Sequence, residues 1–284
     1  MLSRRWLINF GLLALIILFT FIGNKYQVQQ GYQPGNRILK LDAANIDSIV
    51  VKTADESLRF RRNAGSWQIE SPIQWPANNI NLERLLTITR SETDSRLPAG
   101  EIDLSSIGLQ FPRALLQLND TSIAFGATNQ IGERRYILID STVYLLTDSH
   151  YPFIAQGLLG LIDRRLLPAS LGLQALKLPG LELTRLPDES WQASGTSSFS
   201  QEQLQQLVGN WQGLQASRVK TYSTTNSAQQ KILVRLGDGS SLEFFLLSIS
   251  PEIIIANPTI GLQYHFDKSY YYQLISLREK DNDA

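Results

Sequence analysis

The stretch that decides the fold is Gly65–Asn79, GSWQIESPIQWPANN. Its core, Ser66-Trp67-Gln68, returns as Ser190-Trp191-Gln192 in a chain with five tryptophans among 284 residues. Outward from both copies the same signals follow in the same order. Before Trp67 lie the apolar-alternating runs Ile46–Val51 and Leu58–Phe60, and before Trp191 lies Leu176–Leu186, LKLPGLELTRL. Such runs, broken by polar turns, predict short strands. A helix is expected after each tryptophan. Ser200-Gln201-Glu202-Gln203 fits a capping box, and Leu204, Leu207, Val208, Trp211 and Leu214 then recur at helical spacing. In the first copy Pro76-Ala77-Asn78-Asn79 supplies turn and cap, and Leu82, Leu85, Leu86 and Thr89 form the stripe.

Both helices run into Ser-Arg-apolar, Ser95-Arg96-Leu97 and Ser217-Arg218-Val219. Two hairpins follow in each copy. In the first they are Ala114–Leu118 with Ser122–Phe125, then Tyr136–Ile139 with Val143–Leu146. In the second they are Ile232–Leu236 with Leu242–Leu247, then Ile253–Ala256 with Leu262–Phe266. Each copy closes on an Asp followed by aromatics, Asp148 to Phe153 and Asp267 to Tyr272. The expectation is an α+β protein in which a small antiparallel sheet-plus-helix unit is written twice, at a period of about 120 residues. Unit one covers 38–168 and unit two 169–284. Trp67 and Trp191 are expected to pack each helix on its sheet. Arg96 and Arg218 are expected to meet a carboxylate or helix carbonyls. Gly157–Leu167, GLLGLIDRRLL, reads as the last helix of unit one, with Asp163-Arg164-Arg165 on a solvated face.

Ahead of both units, Trp6–Gly23 reads WLINFGLLALIILFTFIG, without a charge. As a helix it would span about 27 Å at ~1.5 Å per residue, close to the ~30 Å of a hydrocarbon core. Residues 1–5 carry Arg4 and Arg5, so the positive-inside rule keeps the start cytoplasmic and exports the rest. A cleaved signal peptide competes with this reading, but bulky Phe21 and Ile22 stand where cleavage needs small residues. The expectation is therefore a single-pass transmembrane anchor over 6–23 in a bacterial inner membrane, with the main domain periplasmic. The polar stretch 24–37, with Gly31, Pro34 and Gly35, reads as a tether.

Composition narrows the chemistry. Lys plus Arg and Asp plus Glu each total 26, so no basic excess marks a nucleic-acid binder. The absence of cysteine removes disulfides, thiolate metal sites and Cys nucleophiles. The two histidines, His150 and His265, lack a second histidine at metal spacing. No G-x-S-x-G, Walker or G-x-G-x-x-G pattern occurs. No catalytic, cofactor or metal residue is nominated, and an enzyme is not expected. The recognition candidates are Trp75, as an exposed platform, and Tyr270-Tyr271-Tyr272, which cannot all face inward. Arg164 and Arg165 are further candidates, able to grip a carboxylate or a lipid phosphate.

The assembled pattern resembles the bacterial domain-of-unknown-function 4340 family. The resemblance rests on the basic-start apolar helix, the Trp strand, Pro76-Ala77-Asn78 before a Leu-rich helix, Gly108–Leu118 (GLQFPRALLQL) and Arg135–Leu146 (RYILIDSTVYLL). It carries no catalytic residues to this chain. It implies a membrane-anchored periplasmic companion of an envelope assembly, such as an ABC-type export system. A periplasmic binding module for glycan, peptide or lipid, using the aromatics, is the alternative.

Overall fold

The computed structural model describes residues 36–130, 132–194, 199–223 and 229–277. The anchor expected over 6–23, and the tether up to residue 35, lie outside the described residues. Among the described residues no helix is long and apolar enough to cross a membrane. The last two tether residues are docked: Arg37 bridges Glu92, and the Thr93 N–H donates to the Asn36 carbonyl at 3.2 Å.

Unit one contains β1 (Ser48–Thr53), β2 (Ser57–Asn63), β3 (Ser66–Ser71), β4 (Trp75–Pro76), α1 (Asn79–Leu86), β5 (Arg96–Pro98), β6 (Ala114–Leu118), β7 (Thr121–Asn129), β8 (Arg134–Ile139) and β9 (Thr142–Thr147). Two short helices follow, α2 (Tyr151–Ala155) and α3 (Gly157–Leu161). Unit two contains β10 (Leu173–Leu178), β11 (Leu181–Arg185), β12 (Trp191–Ser194), α4 (Gln201–Gly213), β13 (Arg218–Thr221), β14 (Gln230–Leu236), β15 (Ser241–Ser248), β16 (Glu252–Asn257), β17 (Leu262–Asp267) and α5 (Tyr271–Leu274).

The strands form two antiparallel sheets. Their orders are β4-β3-β2-β1-β6-β7-β8-β9-β5 and β12-β11-β10-β14-β15-β16-β17-β13. Apart from β4, the two orders correspond strand for strand. The Ser-Arg segments become β5 and β13, which leave the helix and close each sheet against its last strand, β9 and β17. Burial alternates along β1, β2 and β14, so one face of each sheet is apolar. Ala64 and Gly65, both at positive φ, make the tight β2–β3 turn.

Each helix lies on that apolar face. In α1, Leu82, Leu85 and Leu86 are buried, with Thr89 in the following 3₁₀ turn. In α4 the Ser200–Gln203 capping box is formed, and Leu204, Leu207, Val208 and Trp211 are buried. The two repeated tryptophans do one job. The Trp67 N–H donates to the Asn79 side chain at 2.7 Å, and the Trp191 N–H to the Gln201 side chain at 3.0 Å, so each strand is tied to the first residue of its helix. Both indoles are buried, and one continuous apolar core runs through both units. A satellite cluster of Ile107, Leu109, Ala124 and Val143 lies where the segment after β5 covers the other face of sheet one.

One expected element is cut short. Of the helix expected over Gly157–Leu167 only α3 (Gly157–Leu161) forms, and Ile162 adopts extended backbone at φ −87°, ψ 148°. Asp163-Arg164-Arg165 is therefore not a solvated helix face. Asp163 is buried, and Arg164 and Arg165 are half-buried.

Candidate functional site

Residues 162–165 form an extended strap that follows α3, and this stretch from the end of α3 is hydrogen-bonded on both edges. Toward unit one, the Asn78 N–H donates to the Leu161 carbonyl at 2.7 Å and the Asp163 N–H to the Pro76 carbonyl at 2.9 Å. Toward unit two, the Ala216 N–H donates to the Arg164 carbonyl at 2.9 Å, and Arg165 bridges Gln215. The connection between the units is thus a short strand shared by both. It is not a hinge.

Beneath the strap the junction is closed by large side chains from both units. Trp75 is only 7% exposed, which corrects its reading as a platform: its indole lies beside the buried Tyr264 hydroxyl of β17. Burial, and then the negative charge of Asp163, push the Tyr264 phenol above its ordinary value. Asp163 accepts from the Arg165 backbone N–H at 3.0 Å and from its guanidinium, with Nε at 2.9 Å from Oδ2. That carboxylate stabilises the charged guanidinium and raises the Arg165 pKa.

Above the strap lies an open cleft of about 510 Å³ between the start of α1, α3, the strap and the start of β13. Four guanidinium groups line it, from Arg84, Arg164, Arg165 and Arg218, against one carboxylate, Asp163. Arg165 is matched by Asp163. Arg218 pairs with Glu252 at 2.5 Å, and Glu252 also meets His265 Nδ1 at 3.1 Å. The His265 contact, and then the Arg218 charge, hold Glu252 below its ordinary value. Arg164 donates to the Ser217 carbonyl at 3.1 Å and has no carboxylate partner among the described residues. Arg84 stands on α1, exposed, 6.0 Å from the Phe153 ring centroid, likewise without a carboxylate among the described residues. Asn78, Asn79, Asn81, Gln156 and Gln215 add amide side chains to the lining. Ile80, 61% exposed, and Leu159, 38% exposed, add apolar ones.

The cleft thus gathers two of the nominated residues, Arg164 and Arg165, and leaves the tyrosines elsewhere. Tyr270 and Tyr271 pack against the core, while Tyr272 is 48% exposed, its ring edge-on to Tyr271 at 5.2 Å. Arg84, Ile80 and the amides were not nominated. One signal for them exists in the sequence: Ile80 falls off the apolar stripe of α1, and Asn78-Asn79 with Asn81 crowd the same turn. Chemically the site presents guanidinium and amide groups without an adjacent nucleophile and base, an arrangement suited to holding an anion. Among the described residues no group of three or more His, Cys, Asp or Glu could hold a metal ion.

Comparison with known protein families gives a match. The model of a family described as Domain of unknown function (DUF4340) covers residues 67–244, which spans the strap and its flanks in both units. No curated protein and no solved structure matches.

Proposed function

This chain belongs to the DUF4340 family, and from that premise we propose that it is a non-enzymatic accessory or scaffold protein of a bacterial envelope assembly, such as an ABC-type export system. Residues 6–23 anchor it in the inner membrane, and both units lie on the periplasmic side. The observation that carries the reading is the junction cleft, where two sheets fixed to one strap present guanidinium, amide and apolar groups to a partner. An anchor adds to this by confining the cleft to the membrane plane, which raises its effective concentration near a membrane partner.

The test is co-purification of the full chain, tagged at its C-terminus, from gently solubilised membranes. Stoichiometric recovery of a permease or another envelope protein is the expected result. Recovery of nothing above background in more than one detergent would overturn the proposal. So would full function in a chain freed from residues 1–23.

A further inference from the structure

We propose that the junction cleft is a docking groove for an extended acidic segment of the partner protein, with Arg84 and Arg164 receiving its carboxylates. The inference rests on the accessory reading above and deepens it. Charge is the first argument. Arg165 and Arg218 are neutralised by Asp163 and Glu252, whereas Arg84 and Arg164 are not, so the cleft keeps a positive excess. A recess with low-dielectric walls focuses that field on an incoming anion. The two groups also stand on different walls, one on α1 and one on the strap, so an elongated ligand meets both. Each guanidinium is a planar fork that matches a carboxylate in two parallel bonds.

The amides add a second kind of contact. Asn81 donates through Nδ2 to the Gly160 carbonyl at 2.8 Å, and Gln156 through Nε2 to the Pro152 carbonyl at 3.1 Å. Their carbonyl oxygens accept no hydrogen bond among the described residues, and both side chains line the cleft. These acceptors are free to take donors from a ligand. An extended peptide carries backbone N–H donors along its length, beside its acidic side chains. Ile80 and Leu159 at the same cleft offer apolar cover for side chains between the acids. The volume of about 510 Å³ falls among ligand clefts of ~300–1,000 Å³ and suits a short segment.

The test uses the full chain in detergent micelles and a terminally blocked peptide, Glu-Leu-Glu-Glu-Leu-Glu, with its Gln-for-Glu twin as control. Calorimetry should show binding of the acidic peptide that weakens as salt rises, and none of the twin. Arg84→Glu should weaken binding by at least about tenfold, the worth of a hydrogen bond to a charged group. Arg84 is exposed, so its variant should melt with the parent. Equal binding of the twin would overturn the proposal. So would displacement of the peptide by inorganic phosphate at equal concentration, or Arg84-dependent binding to phosphatidylglycerol vesicles in place of the peptide. Capture from membranes tells the two readings apart. Unchanged capture by Arg84→Glu defeats the groove and spares the accessory role. Peptide binding through Arg84 without any captured partner defeats the accessory role and supports the groove.

Discussion

Arg135 shows how a charged side chain is kept inside unit one. It is 4% exposed, on an inward position of β8. Nη2 lies 2.7 Å from Asp148 Oδ2, and the guanidinium carbon lies 3.9 Å from the Tyr151 ring centroid. Removing one partner of a buried pair strands the other, so Arg135→Ala should lower unfolding free energy by about 3 kcal/mol in urea titrations. Asp148→Asn should cost less, because it keeps a hydrogen-bond acceptor. His150 is the second residue with a measurable signature. The Thr87 hydroxyl donates to the Arg84 carbonyl at 2.6 Å, so it can only accept from His150 Nε2, 3.1 Å away. Nε2 therefore carries a proton, and burial lowers the pKa of the ring from 6.5 against the pull of Asp148. Below pH 6.5 the unfolded chain binds a proton that the native ring refuses, so stability falls as pH falls toward the lowered value. The exposed carboxylates with lowered pKa add their own loss only below about their ordinary values of 3.8 to 4.5. The melting temperature should thus decline between pH 6.5 and about 4.5 in the parent and stay flat there in His150→Gln. At this scale the sequence is a partial guide. One exposed tyrosine of three was legible because neighbouring side chains cannot share a face. The burial of Trp75 was not, because its cover, Tyr264, comes from the other unit.

Among the elements, α4 was the most legible, since its cap, its stripe and its end are all written in neighbouring residues. The strap was the least. GLLGLIDRRLL carries helix-like apolar spacing, but its backbone groups find better partners on Pro76, Asn78 and Ala216 than in a continued helix. Those partners are brought near only by the folded units, so a local reading cannot weigh them. The turn into α3 is fixed by Gly157, at φ +58°, where an added Cβ would sit 1.5 Å from the Glu56 carboxylate. That carboxylate accepts the Leu158 N–H at 3.1 Å, taking up an unpaired amide at the helix start. Gly157→Ala should therefore destabilise by more than about 1 kcal/mol. Gly100→Ala, with nothing within 4 Å of its Cβ and no positive φ, should be nearly neutral in the same denaturant titration.

For the whole molecule, the recurrence of Ser-Trp-Gln foretold a recurrence of strand order. Hairpins are local, so their neighbours could be read in sequence. The closure of each sheet by β5 and β13 could not, because those strands pair with segments made much later in the chain. The cleft was hidden for the same reason: its walls are more than 70 residues apart along the chain, from Arg84 to Arg164. The shared core implies cooperativity. Trp67 reports on unit one, Trp75 on the junction, and Trp191 and Trp211 on unit two. Tryptophan fluorescence and far-UV circular dichroism should follow a single coincident unfolding transition of the full chain. Two separated transitions would mean that the junction does not couple the units.

The strap has one more consequence. Stitched along both edges, it holds the cleft walls at one gauge, like the jaws of a locked calliper. In the proposed docking, a segment that fits would have no closing motion to wait for, and its arrival would be timed by encounter and by salt. A segment too wide would be turned away by the same gap, so the proposed groove would measure its guest instead of moulding to it.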